Sequence, residues 1–322
     1  MKRVLILILA LTLICSTFAF FGCKKKDAQT DKADSGQQNA ADATTQQNIP
    51  TSQSGTQTKG IELTGEETLV YSGYINTYSC GEWEYSYRTD DNIAINNYTG
   101  TQRNITVPSK IRGHDVVAIT RFESSSVEIL HLPDTIISIG SSSFRRNKTL
   151  KELYCGNSLK SIYADAFAGC TTLEKIVLPS SLETLETSAF YGCGLKRLTV
   201  PCSLKTCGAY VFENIQSLTS VIFEEGTTVI YDIFHECPNI EYLVIPASVE
   251  TIYNSPFYCN TSNPSRLTGI RFLGNAPEIL GTDAEPFGPA NPNITIYYPA
   301  NATGWDTTPL GELYTLTPYQ PE

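Results

Sequence analysis

The chain contains few of the residues that usually carry out catalysis or bind metal ions. Among its 322 residues are only three histidines, His114, His131 and His235. None lies within metal-ligand spacing of another, and His131 falls on the exposed side of a predicted strand, which argues against a zinc site or a catalytic base. The sequence also has no glycine-rich phosphate loop and no nucleophile elbow. We therefore predict a protein that is not an enzyme and uses no cofactor or metal.

Basic residues are too few to favour nucleic acid as a partner. The formal net charge is -10, and residues 1–61 carry seven Lys or Arg against four Asp or Glu. This leaves 16 of the 23 basic and 29 of the 33 acidic residues for the rest of the chain, a net charge of -13. A body of this charge repels phosphate backbones, so we predict no nucleic-acid partner.

The N-terminus has the layout of a secretory signal peptide. Two basic residues precede an apolar run over residues 4–22. The end of the run, Gly22-Cys23, resembles the lipobox of bacterial lipoproteins, in which a small residue precedes the cysteine that is diacylated, although Phe20-Phe21 departs from that motif. The other interpretation is an uncleaved signal anchor. Both predict an extracytoplasmic protein attached to a membrane, with Cys23 as the lipid site in the first case.

The segment after Cys23 has a composition typical of disorder. Residues 24–59 contain one Ile and no aromatic residue, too little apolar surface to offset the entropy lost on ordering. We predict a signal peptide over residues 1–22 and a disordered polar tether over residues 23–61 that holds the folded part away from the bilayer.

A repeat of 22–23 residues occupies most of the remaining chain. AFAGC at residues 166–170 returns as AFYGC at residues 189–193, and one phenylalanine per repeat continues the series. Its members are Phe144, Phe167, Phe190, Phe212, Phe234 and Phe257, at spacings of 23, 23, 22, 22 and 23. A second column consists of short apolar strands: VEILHLP (127–133), LKELYCG (150–156), LEKIVLP (173–179), LKRLTVP (195–201), LTSVIFE (218–224), IEYLVIP (240–246), LTGIRFLG (267–274) and ITIYYP (294–299). A third column holds the second apolar pair of each repeat, beginning with Ile136/Ile139 and Leu159/Ile162.

This period is in the range of a leucine-rich solenoid, in which each repeat is one coil. One coil buries about six apolar side chains at roughly 1.5–3 kcal/mol each, whereas ordering its backbone costs about 1–2 kcal/mol per residue. A single coil is therefore unstable, and stacked coils are stable because each covers its neighbours.

Alternation within a coil predicts which side chains are buried. In the strand around residue 176, Ile176 and Leu178 should point inward, and Lys175 and Val177 outward. The segment around Phe167 is predicted to be one turn of helix or 3₁₀. The predicted fold class is thus an α/β solenoid with short parallel strands and short helical turns, capped at both ends.

The pattern, roughly LxxIxLPxSLxxIxxxAFxxCxxL, resembles the BspA-like (Treponema-type) leucine-rich repeat of bacterial surface proteins over about residues 85–305. Residues 84–119 look like the N-terminal unit of that family, and residues 297–309 resemble its closing coil, with Trp305 placed to cover the last open ladder. The domain prediction is a capping unit over residues 62–126 and a solenoid with a C-terminal cap over residues 127–322.

The cysteines allow two interpretations. Cys170, Cys193 and Cys237 share one column, and Cys155 and Cys207 replace Leu or Ile at inward positions. Buried free thiols suit such tight ladders. A bridge between Cys170 and Cys193 is the alternative, because neighbouring coils bring their Cα atoms about 5 Å apart.

The outward side of the strands is the predicted binding face, because repeats and caps use nearly all the chain after the tether. Its central column is His131, Tyr154, Val177, Thr199, Ile222, Val244, Arg271 and Tyr297, and the column two residues earlier is Ile129, Glu152, Lys175, Arg197, Ser220, Tyr242, Gly269 and Thr295. The candidate ligand-binding residues are Tyr154, Ile222, Tyr242, Val244, Arg271 and Tyr297, of types that anchor interfaces. Ordinary strand propensity explains the same composition equally well. A third column, Glu128, Lys151, Glu174 and Lys196, alternates in charge and is predicted to stabilise stacking.

The family resemblance implies a surface adhesin that recognises a protein or glycan at the cell surface. A structural envelope-associated scaffold without a specific ligand is the main alternative. Carbohydrate recognition is prompted by the 18 tyrosines. Hydrolysis of a glycan would need a carboxylate pair about 5–10 Å apart in a cleft, which a regular coil does not offer.

Overall fold

The computed structural model describes residues 60–71, 75–260, 264–281, 285–287 and 293–321. The predicted signal peptide (residues 1–22) lies outside this part, as do the predicted lipid site Cys23 and nearly all of the tether predicted over residues 23–61. Short β-strands dominate the described residues, whose single helix is α1 (Leu310–Leu313).

The strands are short and recur with the repeat. Before the regular coils come β1 (Glu62–Leu63), β2 (Thr68–Tyr71), β3 (Thr77–Cys80), β4 (Trp83–Tyr87), β5 (Ile93–Tyr98), β6 (Asn104–Thr106), β7 (Lys110–Ile111) and β8 (His114–Ile119). The coils supply β9 (Ile129–His131), β10 (Ser138–Ile139), β11 (Glu152–Tyr154), β12 (Ser161–Ile162), β13 (Lys175–Val177), β14 (Thr184–Leu185), β15 (Arg197–Val200), β16 (Thr206–Cys207), β17 (Ser220–Phe223), β18 (Val229–Ile230), β19 (Tyr242–Ile245), β20 (Thr251–Tyr253), β21 (Gly269–Phe272), β22 (Glu278–Leu280) and β23 (Thr295–Pro299), and β24 (Thr315–Tyr319) follows α1.

Each coil places one strand in a front sheet and one in a back sheet. The front strands form two sheets in the orders β6-β9-β11-β13 and β15-β17-β19-β21-β23-β24. The back strands β10, β12, β14 and β16 extend a sheet that starts in the N-terminal strands, and β18, β20 and β22 form another. Front strands starting at 129, 152, 175, 197, 220 and 242 are 23, 23, 22, 23 and 22 residues apart. All eight strands predicted in the second sequence column are confirmed.

The interior is a continuous apolar core in which the repeated phenylalanines stack. The rings of Phe144 and Phe167 lie nearly parallel with centroids 4.9 Å apart, and those of Phe167 and Phe190 are 5.1 Å apart. The stack continues to Phe257, and Phe122 and Phe287 extend it at its two ends. The predicted alternation is also confirmed, since Ile176 and Leu178 are buried whereas Lys175 and Val177 are exposed.

The prediction of a short helical turn at each phenylalanine is not confirmed. The Phe167 amide donates to the Ala189 carbonyl of the next coil at 2.8 Å, and the Gly169 amide likewise donates to Tyr191 at 2.7 Å. Asp165 and Gly169 adopt left-handed φ angles of 57° and 72°. These conformations turn every second amide of the segment towards the next coil. These turns therefore form a third inter-coil ladder, and the described part of the chain is a β-solenoid with almost no helix.

Neighbouring coils are also linked through the cysteine column. The Cys170 thiol donates to the Phe144 carbonyl at 2.8 Å, and the Cys193 thiol donates to the Phe167 carbonyl at 3.0 Å. The eight cysteines of the described residues are free thiols. Burial raises the pKa of Cys193 well above its ordinary value, so the thiol form that donates the second of these bonds is favoured.

The two ends of the solenoid differ from the regular coils. At the N-terminal end β2, β3, β4 and β5 pair antiparallel, and β5 joins the back sheet through β8. At the C-terminal end β24 pairs in parallel with β23, and the buried Trp305 stacks on Tyr298 with ring centroids 4.7 Å apart. The Trp305 indole N–H donates to the Gly274 carbonyl at 3.2 Å. Within the described residues, no helix has the length and apolar character needed to cross a membrane.

Candidate binding surface on the strand face

We call the outward surface of the two front sheets the strand face. Because successive residues of a strand point to opposite sides, each front strand offers two outward positions, which form two rows across the coils. Parallel pairing sets Glu152 beside Lys175 and Tyr154 beside Val177. The two rows read from the sequence are therefore confirmed in the register of the structure.

The strand face has two parts, because β13 and β15 belong to different sheets. Of the six candidate binding residues, only Tyr154 lies in the N-terminal part, on β11. The other five lie on β17, β19, β21 and β23 of the C-terminal part.

Tyr154 is held by its neighbours. Its ring stacks on His131 with centroids 4.7 Å apart and an interplanar angle of 7°. Its hydroxyl donates to Glu152 at 2.6 Å and accepts a hydrogen bond from the Lys175 ammonium at 2.8 Å. These bonds lower the pKa of Glu152 and raise that of Lys175, in both cases mainly through the Tyr154 hydroxyl. Tyr154 thus belongs to a local ionic network.

The remaining candidates lie side by side. Ile222 pairs with Val244, Val244 with Arg271, and Arg271 with Tyr297 in the central row. Tyr242 occupies the other row. The structure therefore assembles five of the six predicted residues into one patch, which spans four adjacent strands.

The two exposed tyrosines of this patch meet over a glycine. A Cβ atom on Gly269 would lie 2.9 Å from the Tyr242 ring and 3.7 Å from the Tyr297 ring. Glycine therefore lets the Tyr242 ring lie close over the backbone of β21. Tyr242 and Tyr297 are 43% and 37% exposed, so they present aromatic surface to solvent.

Arg271 lies within this aromatic group. Its guanidinium carbon is 4.5 Å from the ring centroid of Tyr319, a cation–π contact. The Tyr319 hydroxyl donates to the Phe272 carbonyl at 3.0 Å, which fixes the ring beneath the guanidinium. The Nε of Arg271 is buried and has no hydrogen-bond acceptor among the described residues. Burial raises the pKa of Tyr242, and the positive charge of Arg271 opposes this shift.

We call this group the tyrosine–arginine patch. It comprises Tyr242, Arg271, Tyr297 and Tyr319, with Gly269 between Tyr242 and Tyr297. Exposed aromatic rings around an arginine are typical of interaction hot spots, since they combine apolar contact area with polar groups. The described residues contain no group of three His, Cys, Asp or Glu arranged to hold a metal ion.

Sequence reasoning missed Tyr319 and the role of Gly269. Tyr319 lies on β24, which follows the last repeat, so no column of the repeat includes it. The sequence places Gly269 in the same row as Tyr242, but only the structure shows that the lack of a side chain there makes room for the Tyr242 ring. The alternation of Thr315, Thr317 and Tyr319 is the one signal that could have indicated a further front strand.

The charged column at the side of the strand face makes two ion pairs between neighbouring coils. Lys151 contacts Glu128 at 2.9 Å, and Lys196 contacts Glu174 at 2.6 Å. Glu128 also accepts a hydrogen bond from Arg103 at 2.6 Å, and its pKa is lowered mainly by its hydrogen bond with Lys151. These ion pairs link successive coils, in agreement with the structural role predicted for the column.

The repeats define the class of protein. Residues 115–172 and 138–263 match the BspA type leucine rich repeat region, with six copies. These repeats are therefore of the BspA type, and the resemblance inferred from the sequence is confirmed over residues 115–263. No curated protein sequence matches the chain.

Solved structures that the chain matches come from several bacteria. A leucine-rich-repeat protein of Treponema pallidum is 28% identical, with 50% of this chain and 78% of that chain covered at a TM-score of 0.46. One from Bacteroides ovatus is 19% identical, with 68% and 70% covered and a TM-score of 0.48. The pneumococcal vaccine antigen PcpA is 18% identical, with 70% and 57% covered and a TM-score of 0.39.

Proposed function

We propose that this leucine-rich-repeat protein is a membrane-anchored, extracytoplasmic binding protein, a surface adhesin that recognises a protein or glycan through its strand face. The observation that carries the proposal is the tyrosine–arginine patch. Its tyrosine rings are exposed, and the guanidinium of Arg271 lies against the Tyr319 ring with no acidic partner among the described residues. A partner that stacks on the tyrosines would gain apolar contact and the charge of the guanidinium.

The patch is also pre-organised for binding. Arg271 is held over Tyr319, and Tyr319 is fixed by its bond to the Phe272 carbonyl. The parallel register of β21 with β23 fixes Tyr297 beside Arg271. A partner that binds there loses less side-chain entropy than it would on a mobile surface.

The proposed location rests on the N-terminal sequence. Residues 4–22 are apolar and end at Gly22-Cys23, so the proposal includes a lipid on Cys23 and a bacterial membrane as the site of attachment. The polar tether would then separate the repeats from the bilayer. Metabolic labelling with a fatty acid tests the anchor: the natural chain should incorporate label and Cys23→Ala should not. Equal labelling of the two would contradict lipidation at Cys23.

A structural scaffold is the second candidate, and the ion pairs between coils favour it. Tyr154 and the column around Glu128 make their polar contacts within the protein, which serves stacking and not recognition. The end units also fit a structural role. We infer that the antiparallel strands β2–β5 and the strand β24 with Trp305 act as caps, because an uncovered coil exposes unpaired strand edges.

A binding screen separates the adhesin from the scaffold. The soluble body, residues 60–322, would be tested against extracellular-matrix proteins, glycans and bacterial and host cells. For any partner found, the variant Tyr242→Ala/Arg271→Ala/Tyr297→Ala should weaken binding at least tenfold, since hot-spot residues contribute about 2 kcal/mol or more each.

A matched control comes from outward residues of the same face that lie outside the patch. Val177 and Thr199 are exposed outward residues of the central row, and Val177→Ala/Thr199→Ala should leave binding unchanged. Circular dichroism should show that both variants keep the fold. Saturable binding that persists in the triple variant would remove the patch from the proposal, and the absence of any saturable partner would favour the scaffold.

A further inference from the structure

A recess lies away from the strand face, between the turns of two neighbouring coils. Residues 120–125 form one wall and residues 141–149 the other, and the volume of this open recess is about 570 Å³. This volume is within the range of pockets that hold small ligands. Of the fourteen residues that line it, only Phe122 is apolar, so the recess is suited to a polar ligand.

The recess concentrates positive charge in an acidic protein. Four of its lining residues are basic, Arg121, Arg145, Arg146 and Lys148, whereas Glu123 is the single acidic one. Glu123 pairs with Arg121 at 2.5 Å and so neutralises only that arginine. The chain as a whole carries a formal charge of -10. A concave site with this excess of cations attracts anions.

The cations that are not paired with an acid remain accessible. Lys148 donates to the Gly169 carbonyl at 2.9 Å and to the Thr171 hydroxyl at 3.1 Å, both neutral groups. Arg145 and Arg146 are exposed, and neither guanidinium has a partner among the described residues. Two forked donors are therefore available to a ligand in the recess.

Arg146 also occupies a strained backbone position. Its φ is 59°, in the left-handed region that favours glycine, and the equivalent residues of the next two coils are Gly169 and Gly192. A bulky residue there costs stability that glycine would restore. The stem of Arg146 lies against the next coil, where a Cβ atom on Gly169 would be only 3.3 Å from the Arg146 Cγ. Asn214 and Glu236 adopt the same left-handed conformation in later coils, so it is the exposed and unpaired guanidinium, and not the backbone, that distinguishes Arg146.

Hydroxyl groups complete the site. Ser125, Ser141 and Ser142 line the recess and are exposed, and no hydrogen bond occupies their side chains within the described part of the chain. The recess offers hydroxyls for a polyhydroxylated ligand and guanidinium groups for an anion. Phe122, the one apolar residue of the lining, is itself buried, so the recess presents no apolar side chain to a peptide.

We propose that this recess binds an acidic saccharide, one that carries carboxylate or sulfate groups. The anionic groups pair with Arg145 and Arg146, and the sugar hydroxyls exchange hydrogen bonds with the three serines. The site is independent of the strand face and of any partner recognised there.

Calorimetry with three probes tests the proposal: a chondroitin sulfate tetrasaccharide, neutral maltotetraose, and sodium sulfate at matched ionic strength. The tetrasaccharide should bind, with an affinity that falls as salt is raised, and maltotetraose should not. Equal binding of sodium sulfate and tetrasaccharide would reduce the recess to a simple anion site and overturn the proposal, as would the absence of tetrasaccharide binding.

Substitutions locate the site. Arg146→Gly should weaken tetrasaccharide binding about tenfold through loss of a charge-assisted contact, and should raise the unfolding midpoint because the strain is relieved. The control Asn214→Gly changes the same coil position, with φ of 58°, outside the recess and should leave the affinity unchanged. Unchanged affinity in Arg145→Gln/Arg146→Gly, or its loss in the strand-face variant Tyr242→Ala/Arg271→Ala/Tyr297→Ala, would show that the recess is not the site.

Discussion

At the scale of single residues, the side chains of the turns satisfy backbone groups of the neighbouring coil. The thiols of Cys170 and Cys193 donate to the carbonyls of Phe144 and Phe167, each in the coil before. A small apolar residue that can also donate a hydrogen bond fits this narrow space, and cysteine is such a residue. Its recurrence in the column is thus explained by stacking and requires no metal and no bridge.

Another residue of the turns, His235, couples stability to pH. Its imidazole makes a hydrogen bond with Asp232, and this bond is the main cause of the raised His235 pKa. Desolvation of the imidazole opposes the shift. Glu213, close by, also favours the charged imidazole, while its own pKa is raised by burial.

We therefore predict that His235 contributes stability in acid. Because its pKa in the folded state is above the ordinary value of 6.5, the contribution is complete below pH 6.5 and is lost as the pH rises through the folded pKa. Urea unfolding of the natural chain and of Asp232→Asn at pH 5.5 and 8.5 measures it. Asp232→Asn should lose most of the difference in unfolding free energy between pH 5.5 and 8.5 that depends on His235. Its imidazole pKa, measured by NMR titration, should be lower than in the natural chain. An unchanged titration would contradict the role of Asp232.

At the scale of elements, each phenylalanine turn forms hydrogen bonds to the next coil, as a strand does. Alternate amides in the turn donate to the next coil, and the ring stacks on its counterparts at 4.9–5.5 Å from Phe144 to Phe257. The sequence predicts the column of phenylalanines because their spacing is regular. It does not predict the turn geometry, since left-handed residues such as Asp165, Ser188 and Tyr210 are of ordinary types.

The stacked ring should be the most sensitive position of its turn. Phe190 is fully buried between Phe167 and Phe212, so Phe190→Ala should lower the free energy of unfolding by about 3–5 kcal/mol. The adjacent Tyr191 is 38% exposed, and Tyr191→Ala should cost less than about 1 kcal/mol. Guanidinium unfolding followed by circular dichroism measures both. Similar losses at the two positions would mean that the stack is not the main source of stability.

At the scale of the whole molecule, the solenoid consists of equivalent coils that contact their neighbours. From β9 to β19 the front strands recur every 22 or 23 residues, and coil-to-coil bonds join strands and turns alike. Stability in such an array is approximately the sum of coil and interface contributions. The array should therefore tolerate the loss of one full repeat but not a shift in phase.

Two deletions test this expectation. Removal of residues 173–194 joins Thr172 to Leu195 and keeps every column in phase, so one cooperative unfolding transition should remain at a lower midpoint. Removal of residues 173–183 puts strand positions against turn positions and should abolish folding. Circular dichroism and size-exclusion chromatography distinguish the outcomes. Equal behaviour of the two deletions would show that the columns do not set the register.

The sequence by itself determined the coil period, the inward and outward rows and the type of repeat, because each depends on apolar side chains that recur at fixed spacing. The tertiary structure decided which residues of these rows lie together in one surface. It separated Tyr154 from the other candidates, brought Tyr319 under Arg271, and brought two turns together into a basic recess. These juxtapositions depend on sheet breaks and on backbone conformations at individual residues, which a repeating pattern does not encode.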